Sequence, residues 1–254
     1  MMASPLFKVL CFALLPAGAM LAGGGFALWR APNAAWRSAI LHFAAGVVFS
    51  VVAVELLPDI VKQHKPLEVA LGFGGGVAAM LGLRALMSRF ESAPENEDVA
   101  ATKSNTALTK ILPLGLLFGI AVDLVVDGLL LGVGFAAGQK EGAMLTFALT
   151  VEVLALGLAT SAQLRRDGFA VNRVLVVLAA LSLSFLVGAV GGATLLSNLS
   201  GEMLELVLSF GLAALLFLVT EELLTEAHEE AETPWLTASF FGGFLLFLLL
   251  GMSG

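Results

Sequence analysis

The stretch AVDLVVDGLLLGVGFAAG, residues 121–138, decides how this chain folds. It is apolar nearly throughout and, with its flanks, long enough to cross a bilayer as a helix, which takes about 20 residues. Asp123 and Asp127 fall near its middle, one helical turn apart. Residues i and i+4 share a helix face, so the two carboxylates are neighbours. An acid at the bilayer centre costs on the order of 3 kcal/mol on insertion scales. Two such charges cannot persist side by side in a low dielectric. Either a proton or a cation must lie between them. A divalent cation shared by several acids meets the cost, because metal–oxygen bonds replace the lost hydration.

The rest of the chain has the same character. Of its 254 residues 59% are hydrophobic and only 13% charged, with a mean hydropathy of +0.97. That composition excludes a soluble domain and gives a polytopic all-α membrane protein. No basic surface is present to hold nucleic acid. The net charge of −7 suits a protein that handles cations. The single cysteine, Cys11, lies in an apolar run, so no intrachain disulfide forms.

Eight runs are long enough to span, near residues 5–28, 36–60, 67–88, 109–137, 140–164, 171–196, 203–225 and 234–253. They form one transmembrane domain. Lys8 and the PAGAM segment resemble a signal peptide with its cleavage site, but the apolar run continues past it to Trp29, so we read a retained span. Between spans 3 and 4 lies a polar loop, 89–108, that sets three spans before it and five after. Basic residues set the orientation. The loops after spans 1, 3, 5 and 7, with their helix ends, hold Arg30, Arg37, Arg84, Arg89, Lys103, Lys110, Arg165, Arg166 and Arg173, against Lys8, Lys62, Lys65 and Lys140 on the other side. This excess puts the polar loop in the cytoplasm and both termini outside; the expected location is a cell membrane of bacterial inner-membrane type.

The sequence also echoes itself. HFAAGVVFSVVAVELLPD (42–59) aligns without a gap on SFGLAALLFLVTEELLTE (209–226), with Glu55 on Glu222 and Leu56-Leu57 on Leu223-Leu224. Spans 2 and 7 run in opposite directions. That is the condition for an inverted repeat, with spans 1–3 related to 6–8 and spans 4–5 between them, a 3+2+3 arrangement.

The acids inside the apolar runs are Glu55, Asp123, Asp127, Glu152, Glu221 and Glu222, and Asp59 and Glu226 lie one turn further out. No lysine or arginine lies deep enough to neutralise them all. Glu152 stands alone on span 5 and reads as a partner for the span 4 pair. Glu55, Glu221 and Glu222 lie nearer the span ends, where water contact competes with a ligand role. Of the histidines, His42 reads as interfacial, His64 as solvated, and His228, in TEAHEEAE, as part of a charged face able to collect a released cation. Span 4 carries Gly115, Gly119, Gly128, Gly132, Gly134 and Gly138, whose small-xxx-small spacing lets neighbouring backbones approach.

These residues resemble the ZIP family of metal-ion transporters over nearly the whole chain. The family's span 4 carries H-N-x-P-E-G, or H-N-x-x-D-G in one branch. The matching segment here, DLVVDG, puts Asp123 at the histidine, Leu124 at the asparagine, Val126 at the proline and Asp127 at the acid, followed by Gly128. The family's span 5 pattern meets VEVLALG, where Glu152 is the only ligand type, and its second ligand falls on Ala155 or Leu156. The span 7 H-E pair falls on Glu221 and Glu222, and an ELLP sequence ends span 2 at Glu55–Pro58. A glutamate found on span 6 of some members has no counterpart, and Ser182 and Ser184 are the nearest polar groups.

The resemblance implies a homodimer that moves a divalent cation such as Zn, Fe or Mn towards the cytoplasm, one helix bundle moving against another. Asp123, Asp127 and Glu152 would form the midplane site, and Glu55, Glu221 and Glu222 would line the approach or exit. With the family histidines replaced by carboxylates, the expected preference moves towards harder ions. The missing span 4 and span 5 prolines imply straighter helices there. The alternative is a ZIP-fold protein with altered or lost metal transport, serving another cation, protons or sensing. An enzyme is not expected. Intramembrane aspartyl proteases set two aspartates on facing helices, one after G-x-G, and zinc hydrolases need several intramembrane histidines. No G-x-x-x-x-G-K-[ST] pattern offers an ATP site, and no resident cofactor is expected.

Overall fold

The computed structural model describes residues 5–30, 32–62, 64–91, 114–196, 199, 201–228 and 233–253. They form helices, with no strand among the described residues. Among the described residues eight helices are long and apolar enough to cross a membrane: Leu6–Trp29, Ala34–Lys62, Pro66–Leu86, Gly115–Ala137, Gln139–Arg166, Val171–Leu195, Glu202–Leu223 and Pro234–Met252, numbered here as spans 1 to 8. The expected start of span 4 at residue 109, and most of the polar loop with Lys103 and Lys110, fall outside the described residues.

Local chemistry sets the span ends. Asn33 caps span 2, its side-chain oxygen accepting from the Trp36 amide at 2.8 Å, so the helix begins two residues before the expected 36. Span 5 closes on a left-handed Gly168, φ 79°. Its amide bonds back to Arg165 O at 3.0 Å, and the Phe169 amide bonds to Leu164 O at 3.0 Å. That paired closure ends a helix sharply and returns the chain into span 6 within a few residues.

Spans 4 and 5 run as continuous α-helix. The irregular backbone lies elsewhere. Span 2 widens into a π-helical segment at Val52–Leu56, and span 7 into another at Leu218–Leu223. Pro58 follows the first and has no amide to give Val54, which favours a break in the regular ladder there. In the second, the Thr220 hydroxyl donates back to Leu216 O at 2.8 Å.

The spans sort into two bundles by contact. Spans 1, 4, 5 and 6 pack on one another, with 1 on 5 and 4 on 6 as the main pairs. Spans 2, 3, 7 and 8 make the second group through 2 on 8 and 3 on 7, and span 2 on span 5 is the main seam between the groups. Spans 2 and 5 are also the most enclosed, 67% and 61% buried over their apolar windows, against 17% for spans 3 and 8 at the periphery. The close pairs rest on reciprocal glycines. A Cβ at Gly128 of span 4 would overlap the Phe185 carbonyl of span 6, and one at Gly188 would overlap the Val125 carbonyl. Gly46 and Gly243 do the same between spans 2 and 8.

Candidate metal centre

Span 4 and span 5 each bring one acid into the sealed interior. Asp127 is 0% exposed and Glu152 is 3% exposed. Gly128, the next residue, lets span 4 lie close against span 6. Neither oxygen of Asp127, nor Oε2 of Glu152, has a hydrogen-bond partner among the described residues. Buried carboxylate oxygens without partners are costly in any protein and more so at membrane depth. Such oxygens are also what a cation needs.

Two further acids stand beside them. Asp123 is half-buried and hydrogen-bonded to Glu222 of span 7. The four carboxylates form one electrostatic group: Asp127 lies within range of Glu152 and Glu222, and Glu152 within range of Asp123 and Glu222. Glu222 sits in the π-helical segment of span 7. Its neighbour Glu221 points outwards, is exposed, and forms an ion pair with Arg84 of span 3, whose charge also acts on Glu222. Thus Asp123, Asp127, Glu152 and Glu222 are brought together, and Glu221 is turned aside towards Arg84.

Glu55 is placed apart from this group. It is 7% exposed, lies in the π-helical segment of span 2, and is 3.9 Å from the Lys140 ammonium at the start of span 5. Asp59 pairs with Lys62 at 2.9 Å one turn beyond. Lys62 also lies within electrostatic range of Glu55 and Glu141, so this end of the bundle carries a cluster of both signs. Neither Asp127 nor Glu152 is paired with a lysine or arginine among the described residues, whereas Asp59, Glu221 and Glu55 each have such a partner.

Several groups differ from their sequence reading. His42 is 4% exposed, because the end of span 7 covers it, so it is enclosed by protein and not open to solvent. Ser182 is buried but donates to Ala17 O at 3.0 Å and Leu178 O at 2.9 Å, and Ser184 is exposed, so the span 6 serines serve packing. Glu205 escaped the sequence reading. It is 3% exposed with an unpartnered Oε2, yet it lies in the first turn of span 7, where an acid is an ordinary helix-start residue. Burial alone reveals it. Among the described residues, no three histidine, cysteine, aspartate or glutamate side chains already stand in a geometry that closes on a metal ion.

Fold and centre together define an all-α, multi-pass membrane protein with a group of carboxylates enclosed between its helices. No family model matches the chain. It is, however, 31% identical over 221 residues to a protein named zinc transporter GufA from Myxococcus xanthus, with 83% of this chain and 82% of the relative covered. The chain belongs to the ZIP family of metal-ion transporters.

Proposed function

We propose that this protein carries a divalent metal ion of the zinc, iron or manganese class towards the cytoplasm. Asp127 and Glu152 are its innermost ligands, and Asp123 and Glu222 assist. The observation that carries this reading is the set of oxygens on Asp127 and Glu152 that, among the described residues, are enclosed without a hydrogen-bond partner or a neutralising lysine or arginine. A bound cation satisfies them and removes the repulsion within the group. The zinc relative supports the choice of a metal. The ion enters past Glu55 and Lys140 and leaves past Glu222 and the Arg84–Glu221 pair, with both termini outside and the arginine-rich ends in the cytoplasm. A homodimer, as the family implies, is part of the same proposal.

The inverted repeat belongs here too. Exchanging span 1 with 6, 2 with 7, 3 with 8 and 4 with 5 carries the main contacts onto one another: 2 on 8 becomes 7 on 3, and 1 on 5 becomes 6 on 4. The two π-helical segments, 52–56 and 218–223, fall at matching places in the aligned sequences, Glu55 in one and Glu222 in the other. Both facts support the repeat.

A second reading has protons or another cation use the same carboxylates. It draws on the absence, among the described residues, of three side chains already set for a metal. Equilibrium binding to purified protein decides between them. Asp127→Ala is expected to weaken Zn²⁺ or Mn²⁺ binding at least ~10-fold, Glu152→Ala similarly, and the pair to abolish uptake. Unchanged uptake by a folded double variant sinks the metal reading.

A further inference from the structure

Lys140 stands where a helix least favours a cation. It is the second residue of span 5. There the partial positive charge of the helix start repels an ammonium and favours a carboxylate, such as that of the next residue, Glu141. A lysine at the end of a span ordinarily turns to water. The Lys140 side chain is only half-exposed, and its ammonium lies 3.9 Å from Glu55 Oε1. That carboxylate is buried in the π-helical segment of span 2. Span 8 confines it from another side, where a Cβ on Gly251 would come within 3.0 Å of the same oxygen. The other lysine in range, Lys62, is held by Asp59 at 2.9 Å. Among the described residues Lys140 is therefore the cation ion-paired with Glu55.

This contact crosses the seam between the bundles, because span 2 belongs to one and span 5 to the other. Its counterpart in the repeat is the bond of Glu222 to Asp123, from span 7 to span 4. There both partners are acids and can share a metal. At Glu55 an ammonium fixed to the protein stands in the place of the shared ion. At 3.9 Å the pair is beyond hydrogen-bond reach, which ends near about 3.2 Å. The ammonium is close enough to neutralise Glu55 and loose enough to be displaced. A divalent ion at the same distance is attracted to Glu55 about twice as strongly. Na⁺ or K⁺ gains no such advantage, and competes with a group that is tethered and always present.

We propose that Lys140 is a tethered counter-ion that occupies Glu55 at the entrance and selects by charge, yielding the carboxylate to a divalent cation and withholding it from a monovalent one. This rests on the transport reading above, in which the ion enters past Glu55. Lys140 sets specificity without being a ligand itself.

The test uses the full chain, with Mn²⁺ as the divalent probe and Na⁺ as the monovalent one. Amidination of lysines in purified protein, read by peptide mass spectrometry with Lys8 as reference, follows the ammonium directly. Lys140 is expected to react several-fold faster in saturating Mn²⁺ than in Na⁺ at equal ionic strength. In Glu55→Gln it should react equally fast in both. In vesicles Lys140→Gln should lower the KM for Mn²⁺ several-fold and make uptake sensitive to inhibition by Na⁺, whereas Lys140→Arg, which keeps the charge, should keep the wild-type KM. In a Glu55→Gln background Lys140→Gln should shift KM no further. Labelling of Lys140 that does not respond to Mn²⁺ in wild type overturns the proposal. So does a KM shift of the same size with Glu55 replaced, which marks a general effect of surface charge. If Asp127→Asn with Glu152→Gln is inactive while wild-type labelling stays flat, only the counter-ion falls. If that acid variant takes up Mn²⁺ normally, the transport reading falls instead.

Discussion

At position 123 the family's histidine would offer a metal one nitrogen, whereas Asp123 offers oxygen and negative charge. Carboxylates follow the usual divalent series, so Zn²⁺ still outranks Mn²⁺ in raw affinity, but losing a nitrogen ligand narrows the gap. Competition between the two metals at fixed pH should therefore show weaker zinc discrimination here than in a histidine-bearing relative, and Asp123→His should restore part of it. A zinc preference already as strong as the relative's, and unmoved by Asp123→His, removes Asp123 from ion selection. Protons enter at the same oxygens. Metal affinity should fall as pH is lowered from about 8 to about 5, with proton release on binding, because cation and proton compete for one set of sites. A flat affinity in folded protein means that the acids are not ligands. Asp127 and Glu152 stood out in the sequence because an acid inside an apolar run always demands a partner. Which acids face one another did not, since that depends on packing between spans. The sequence therefore joined Asp123 to Asp127 by helix periodicity, whereas the hydrogen bond of Asp123 goes to Glu222 on another span.

The spans themselves were legible from length and hydropathy, because a bilayer accepts only a narrow range of helix lengths. The π-helical segments were not, since one extra residue per turn leaves the apolar pattern nearly unchanged. They matter because each carries an acid, Glu55 in span 2 and Glu222 in span 7. The absence of the family's prolines from spans 4 and 5 pointed to straighter helices there, and both run as continuous α-helix. Their regularity lets them approach neighbours closely, and Gly128 is the sharpest case. A Cβ there would overlap the Phe185 carbonyl, with backbone and not a movable side chain in the way. Gly128→Leu must push span 4 away from span 6 and carry Asp127, the preceding residue, with it. The expected cost is about 1–3 kcal/mol of stability, the usual range for overpacking, with a larger proportional loss of metal binding. Thermal unfolding and metal titration of the same variant check both. A variant that loses stability but binds metal as wild type does shows that Asp127 is not positioned through this contact.

At the scale of the molecule, the carboxylate group straddles a boundary. Asp123, Asp127 and Glu152 belong to the bundle of spans 1, 4, 5 and 6, whereas Glu222 belongs to that of spans 2, 3, 7 and 8. Across the same boundary Glu55 meets Lys140. An ion held on one bundle and released beside the other can be moved by displacing the first against the second, with different acids presented at each end. Such a displacement changes the distance between spans 4 and 7. Those spans touch near Leu130 and Gly211, where a Cβ on Gly211 would lie 3.1 Å from Leu130 Cδ2. Leu130→Cys with Gly211→Cys, in a chain whose lone Cys11 is changed to Ser, sets a removable bridge across the seam. The bridged protein should still bind metal but transport it at a small fraction of the wild-type rate, and reduction should return most of the activity. Binding separates a blocked movement from a broken site, because a distorted centre loses both. Full-rate transport by quantitatively bridged protein means that the ion passes without relative motion of the two bundles, and a fixed pathway through the carboxylates would then replace the moving one.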